Sequence, residues 1–381
     1  MSMKLIINAA GICATGPTQV VISFLHECIA YKNNEYHVFL SKTVSKEINQ
    51  SNYPPNFIFY EILWHPMHDG ILHSFLSRRL LKNLAIKIKP DVVFSVFGPS
   101  YWIPECPHLQ GYAQPHYVYP DSPFFQHLTL YKRIKWAFIR YIHIKAFKKC
   151  GKYFVCETSD ISNRVSVLFD IPNSYVFTVT NTCSSVYYDR SNHRDILLPE
   201  KQSNEFRLLS LCSYMSHKNL KIINSLVPVL KNTLPDLKIL FLLTIDEDNY
   251  NQSFTLEAKK SIINLGRVSV GKCPQLYSEC DALFLPTLLE CFSANYPEAM
   301  IMRKPILTSD LPFAKAVCGD AALYFDPLNP EDIAIKIAMI INDKLLRKDL
   351  IKKGENKVKE FDSPSTRAIK YLNICEEIAI R

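Results

Sequence analysis

Apolar and polar positions follow two periods along the chain. Short apolar, β-branched runs at 4–9, 36–40, 57–62, 91–96, 153–156 and 176–180 read as strands. Helix-period stretches at 73–88, 131–149 and 158–169 fall between several of them. After the first run, Thr15 offers an N-cap and Pro17 suits a first helical turn, with Val20, Val21, Phe24 and Leu25 following at helical spacing. Residues 190–205 are polar and interrupted, as a linker would be. The pattern then restarts: strand 207–212, helix 218–232, strand 237–243, helix 254–263, a short strand near 263–265, helix 274–279, strand 281–285, helix 295–302, strands 305–308 and 322–325, and helix 330–342. Such alternation predicts parallel sheets covered by helices on both faces, here as two consecutive doubly wound domains. Ligands of these folds bind at the carboxyl ends of the strands.

Composition narrows this picture. With 381 residues, 48% hydrophobic and 21% charged, the chain is long enough for two domains and too apolar for disorder. No repeat of solenoid length occurs. The stretch Leu5 to His26 lacks Asp, Glu, Lys and Arg, but its polar middle (Asn8, Thr15, Thr18, Gln19) interrupts any apolar span, so a strand, loop and helix fit better than a leader or an anchor. Twelve cysteines without a C-x-x-C read as small core residues in a reducing compartment. The expected location is cytoplasmic.

The net charge of +8 is unevenly placed. Residues 1–195 carry 20 Lys and Arg against 13 acids, and residues 196–381 carry 24 against 23. The segment 131–149 holds seven Lys or Arg and no acid, with Ile134, Phe138, Tyr141 and Ile142 on one helical face. Two readings fit it: a peripheral helix lying on an anionic membrane, or a core-packed helix with a solvated basic face. No nucleic-acid-binding motif accompanies the charge, so nucleic acid is not expected as a partner.

The chemistry concentrates in residues 281–300, DALFLPTLLECFSANYPEAM. An apolar strand ends at Pro286, Glu290 follows in a loop, and Glu298 sits just inside a helix. The run Cys291 to Asn295 between them is mostly small, so backbone N–H groups can approach an anion at a helix N-terminus. Two carboxylates beside such a place suit hydroxyls, and together they call for a ligand with phosphate and several hydroxyl groups. A Glu serving only as a partner of the helix dipole fits the spacing equally well. The triplet Asp246-Glu247-Asp248 reads as a solvated loop, not a metal site.

Residues 290–300 resemble the E-x7-E signature of family 4 retaining glycosyltransferases. The family usually has E-G-F-G at the first Glu and E-A-M at the second; this chain has Glu290-Cys291-Phe292-Ser293 and Glu298-Ala299-Met300. The stretches 176–188, 266–286 and 303–334 resemble the family too. The resemblance implies a GT-B fold: an acceptor-binding Rossmann-like domain over 1–190, a nucleotide-sugar-binding domain over 195–362, a cleft between them, and a last helix, 364–379, returning to the first domain. It implies that Glu298 binds the donor ribose and Glu290 the transferred sugar, that the backbone of Ser293, Ala294 and Asn295 holds sugar or diphosphate, and that Gly266 and Val268 line the base. Lys218 matches the family lysine on the diphosphate; a lysine at a helix start otherwise opposes the dipole. Ser213 and Tyr214 stand where the family has Gly-Arg, and Thr15-Gly16 stands for its glycine loop, with Gly16 on the donor side. On the acceptor side, His116 is the catalytic candidate, with Tyr112 and Gln114 beside it; a surface loop His reads the same. The implied reaction needs no metal and no cofactor. A nucleotide sugar, UDP-linked in preference to GDP-linked, donates to a saccharide or lipid-linked saccharide in capsule or O-antigen assembly. The alternatives are a catalytically impaired homologue that only binds, or a sugar-nucleotide epimerase of the same fold.

Overall fold

The computed structural model describes residues 2–126, 128–188 and 196–381. The chain divides into two compact units: residues up to Pro120, Leu128–Asn181 and Asp362–Arg381 form the first, and Asp121–His127 with Thr182–Phe361 the second. Of the expected linker 190–205, residues 190–195 lie outside the described residues.

The first unit is built on β1 (Lys4–Ala9), β2 (Glu35–Ser41), β3 (Phe57–Ile62), β4 (Val92–Ser95), β5 (His108–Gly111), β6 (Tyr153–Cys156) and β7 (Val176–Thr178). They form one parallel sheet in the order β3-β2-β1-β4-β5-β6-β7. Helices α1 (Thr15–Cys28), α2 (Lys42–Ser45), α3 (Gly70–Ile88), α4 (Pro115–Val118), α5 (Pro123–Gln126), α6 (Leu130–Cys150) and α7 (Ser159–Phe169) occur along residues 2–188, α5 belonging to the second unit. Helix α1 begins at Thr15 itself; Ala14 occupies the cap position in extended backbone and no side chain caps the helix.

Strand β5 escapes the apolar pattern because its polar side chains find hydrogen-bond partners inside the protein, Gln110 through its amide nitrogen alone. His108 bonds Ser95 Oγ and the Cys150 carbonyl, each at 2.9 Å, and Gln110 donates to the carbonyls of Phe147 and Gly151. A Cβ on Gly111 would lie 1.7 Å from the Val96 carbonyl oxygen, so only glycine fits there. On one sheet face, Leu5, Ile7, Val38 and Phe94 meet α1 and the late helix α16 (Pro364–Ile380). On the other, Ile6, Phe39 and Val93 meet Leu81, Ala85 and Ile88 of α3, and Phe154 meets Phe147 of α6.

The second unit carries β8 (Glu205–Ser210), β9 (Lys238–Leu243), β10 (Ile262–Asn264), β11 (Ala282–Leu285), β12 (Ile306–Ser309) and β13 (Ala322–Phe325), parallel in the order β10-β9-β8-β11-β12-β13. Its remaining helices are α8 (Ile223–Thr233), α9 (Glu247–Ser253), α10 (Leu256–Lys259), α11 (Cys273–Glu279), α12 (Asn295–Ile301), α13 (Pro312–Cys318), α14 (Pro330–Asn342) and α15 (Lys344–Lys357). Three expectations change. The helix expected at 218–232 begins only at Ile223. The helix expected at 254–263 is the single turn α10 followed by β10, and the supposed loop at 246–248 opens α9, with Asp246 capping it through Asn249 N at 2.9 Å.

Candidate functional site

All six strands of the second sheet end at one edge, and the loops that leave this edge carry the expected donor residues. After β8 the chain passes Ser213 and Tyr214 into a 3-10 turn, Ser216–Lys218. Asn219 follows in the left-handed region (φ 55°), and α8 begins only at Ile223. Lys218 is therefore not in a first α-helical turn. The turn is tied to the loop after β11: Leu288 N donates to the His217 carbonyl at 2.7 Å, and Thr287 Oγ1 donates to the same oxygen at 3.2 Å. Ser122 Oγ, from the segment 121–127, donates to the Leu288 carbonyl at 2.7 Å.

This stitching brings Lys218 Nζ onto Glu290 Oε1, which Thr287 Oγ1 also reaches at 3.3 Å. Burial works to lower the Lys218 pKa, but Glu290 and Cys212 together outweigh it and the ammonium is held above its ordinary range. Glu290 thus supplies the counter-charge that Lys218 needs. His217 beside it is pushed down to about 4 by burial and by the Lys218 charge, so its ring is neutral at pH 7.

Glu298, on the first turn of α12, is only 8% exposed. Tyr277 donates to its Oε2 at 3.0 Å, and the Tyr187 hydroxyl bonds the same carboxyl group. Burial nevertheless pushes the Glu298 pKa up to about 7, because two phenol hydroxyls do not replace the lost hydration of a carboxylate. The two tyrosine rings meet edge to face at 5.9 Å. Ser293 is buried at the approach to α12, no side chain caps that helix, and Asn295 donates to the Leu211 carbonyl at 2.6 Å, locking the α12 approach to the β8 loop. Gly266 takes a left-handed φ of 64° just beyond β10, and Val268 is half-buried two residues on. Ser213 is exposed. The Tyr214 hydroxyl accepts from Ser253 Oγ at 2.7 Å, so this ring turns toward α9 and puts no cation where the family has arginine.

The acceptor-side residues lie in the first unit and differ among themselves. Tyr112 is fully buried against Phe147 and Phe169 and donates to the Gln114 carbonyl at 2.9 Å; it is a core residue and not a group open to a ligand. Gln114 is half-buried at the start of α4. His116 stacks on Trp136 of α6, ring centres 4.5 Å apart. Gly16 is exposed in the first turn of α1, where a Cβ would meet nothing within 4 Å. Gly11 is the constrained position: a Cβ there would come 2.9 Å from the Tyr101 ring. Sequence reasoning missed the tyrosines that hold Glu298 and the serine that buttresses Leu288, since neither lies near the residue it serves along the chain. Among the described residues, no group of three or more His, Cys, Asp or Glu is placed to hold a metal ion.

Known proteins resemble the second unit in sequence and the chain in fold. Residues 193–357 match the family model described as Glycosyl transferases group 1. The O-antigen chain mannosyltransferase RfbU of Salmonella typhimurium is 25% identical over 251 residues, 65% of this chain and 63% of that protein. The chain thus spans less than two thirds of that relative's length. Among solved structures, a glycosyltransferase from Rickettsia africae matches with TM-score 0.71 and 15% identity over 99% of this chain and 98% of that one. Sucrose-phosphate synthase from Thermosynechococcus elongatus gives 0.74 at 13% over 99% of each chain. WaaG, a glycosyltransferase involved in lipopolysaccharide biosynthesis, gives 0.70 at 13% over 98% of this chain and 99% of that one. These likenesses establish the fold as GT-B, with two Rossmann-like units. Over residues 193–357, less than half of its length, the chain is similar to the glycosyl transferases group 1 family.

Proposed function

We propose that the protein is a retaining, metal-independent glycosyltransferase that moves a sugar from a nucleotide sugar to a saccharide or lipid-linked saccharide. The observation that carries this reading is the strand-end edge of the second unit, where a buried carboxyl group and a part-buried ion pair stand within the segment similar to the group 1 family. Glu298 would take the ribose hydroxyls, exchanging tyrosine partners for ligand hydroxyls. Glu290 would bind hydroxyls of the sugar. Lys218 would leave Glu290 for the diphosphate, whose charge grows as it departs. The acceptor hydroxyl would attack from the face the diphosphate leaves, with the diphosphate taking the proton. His116 and Gln114 are proposed on the acceptor side.

The setting we propose is assembly of a bacterial surface polysaccharide such as O-antigen or capsule, at the inner face of the cytoplasmic membrane, with peripheral contact through 131–149. The role of the Salmonella relative supports the setting. Support for a UDP-linked donor comes from the Anabaena protein Alr3699/HepE, solved with UDP and glucose, which shares this fold with TM-score 0.69 at 12% identity over 98% of this chain and all of that one. No described helix is long and apolar enough to cross a membrane.

Calorimetric titration with UDP, GDP and their common sugar derivatives, with and without Mg²⁺, tests the reading. Saturable binding of one nucleotide without metal, weakened by Glu298→Ala, is expected. No binding to any of them would overturn it.

A further inference from the structure

Helix α3 is inverted. Its inward stripe in the first half is Ser74 and Ser77, whose hydroxyls donate to the His65 and Trp64 carbonyls at 3.3 and 2.8 Å. Its outward face carries Ile71, Leu72, Phe75, Leu76 and Leu80, with Ile71 93% and Phe75 55% exposed. A surface helix stabilised by folding alone does the reverse. The same outward face carries Arg79, Lys82 and Lys87, and no acid occurs between Asp69 and Asp91.

Helix α6 shares this character. Its 21 residues span about 31 Å. Buried residues are confined to its last turn, at Phe147 and Cys150. Ile134, Phe138 and Tyr141, expected from the sequence either to pack in the core or to face a membrane, are exposed. No acid occurs between Asp121 and Glu157.

The two helices cover one face of the first sheet. Leu81 and Ala85 of α3 lie in one cluster with Val93. Val93 pairs with His108, and Gln110 pairs with Phe154, so Val93 and Phe154 point to the same side, where Phe154 meets Phe147 of α6. The later part of α6 also lies near the loop that leads into α3: His143 is within electrostatic reach of His65 and His68.

We infer that α3 and α6 together form a docking face for an anionic phospholipid surface, with α3 as a second anchor beside the 131–149 segment. The occupant follows from charge: an apolar face set among basic side chains, on two segments without a single acid, complements anionic headgroups over acyl chains. The inference rests on the membrane contact proposed above for 131–149 and extends it to a helix of different sequence.

Flotation of the full chain with vesicles of phosphatidylcholine alone, or with one third phosphatidylglycerol, tests it. Binding only to the anionic vesicles is expected, and Leu72→Glu/Phe75→Glu should cut the partition coefficient at least about tenfold. Arg79→Gln/Lys82→Gln should weaken binding less and flatten its salt dependence. Near-ultraviolet circular dichroism and nucleotide affinity matching wild type show that a variant is folded. If Ile134→Glu/Phe138→Glu abolishes binding while the α3 variant floats like wild type, the inference falls and the simpler contact through 131–149 stands. If wild type ignores anionic vesicles, both fall. A wild-type dimer in the absence of lipid that the α3 variant dissolves would overturn the inference in favour of a second copy of the chain.

Discussion

In the second unit, groups that ordinarily face water are buried at the strand-end edge: Glu290 pairs with Lys218, and Glu298 sits beneath two tyrosines. In the first unit the exchange runs the other way, and Phe75 and Phe138 stand in solvent while Ser74 and Ser77 are tucked against the fold. Both arrangements depart from what folding alone favours. They differ in what they reveal. A buried charge needs partners, and those partners lie within the unit; an exposed apolar face needs a partner that lies outside the chain. The first therefore speaks to chemistry within the unit, the second to the docking face inferred above.

The largest effect expected from breaking this contrast is at the ion pair. Lys218→Ala leaves Glu290 without its counter-charge, and urea unfolding should show a loss of about 3 kcal/mol. The neutral pair Lys218→Met/Glu290→Gln should recover most of that loss. A single variant as stable as wild type would mean that water already compensates the carboxylate.

Next is Glu298. Its folded pKa, raised from 4.5 to about 7, means that the native protein binds this proton more tightly than the unfolded chain. The resulting stability is full below the unfolded value and is lost as pH rises through the folded one. Glu298→Gln, which cannot ionise, should therefore be more stable than wild type at pH 8 by about 2 kcal/mol, with the difference fading towards about pH 4. A thermal-melting difference that does not change with pH would show that Glu298 is not desolvated. On activity, Lys218→Ala should slow turnover at least tenfold, about 1.4 kcal/mol, if the lysine meets the leaving diphosphate. Turnover within twofold of wild type would remove it from that role.

The smallest expected effect sharpens the other side of the contrast. Leu72→Glu/Phe75→Glu should change unfolding stability by no more than about 0.5 kcal/mol, because those side chains touch little of the fold. A loss several times larger would place them in the core and dissolve the comparison.

The apolar strands and their order of appearance were legible because strands buried on both faces read as continuous hydrophobic runs. Strand β5 was not, since its buried His108 and the Gln110 amide nitrogen bond partners that a linear pattern does not display. Glu290, Glu298 and Lys218 could be singled out from local spacing and resemblance, and the fold does bring Lys218 to Glu290. Their surroundings could not be: Tyr187 and Tyr277 reach Glu298 from other elements. The 3-10 turn that carries Lys218 was also hidden, because a left-handed Asn219 interrupts what reads as one continuous helix. The exposed stripe of α6 left two readings open, for periodicity shows that one face is apolar and not what covers it.

The late helix α16 has a bearing on biosynthesis. Tyr371, Leu372, Cys375 and Ile378 belong to the first unit's core, and Arg367, almost wholly buried, donates to Asn181 Oδ1 at 2.5 Å and Ser23 Oγ at 2.9 Å. These residues leave the ribosome only after the entire second unit has been made. The unit begun first is thus the one finished last, and its nascent sheet must wait with the face that α16 will cover open to chaperones.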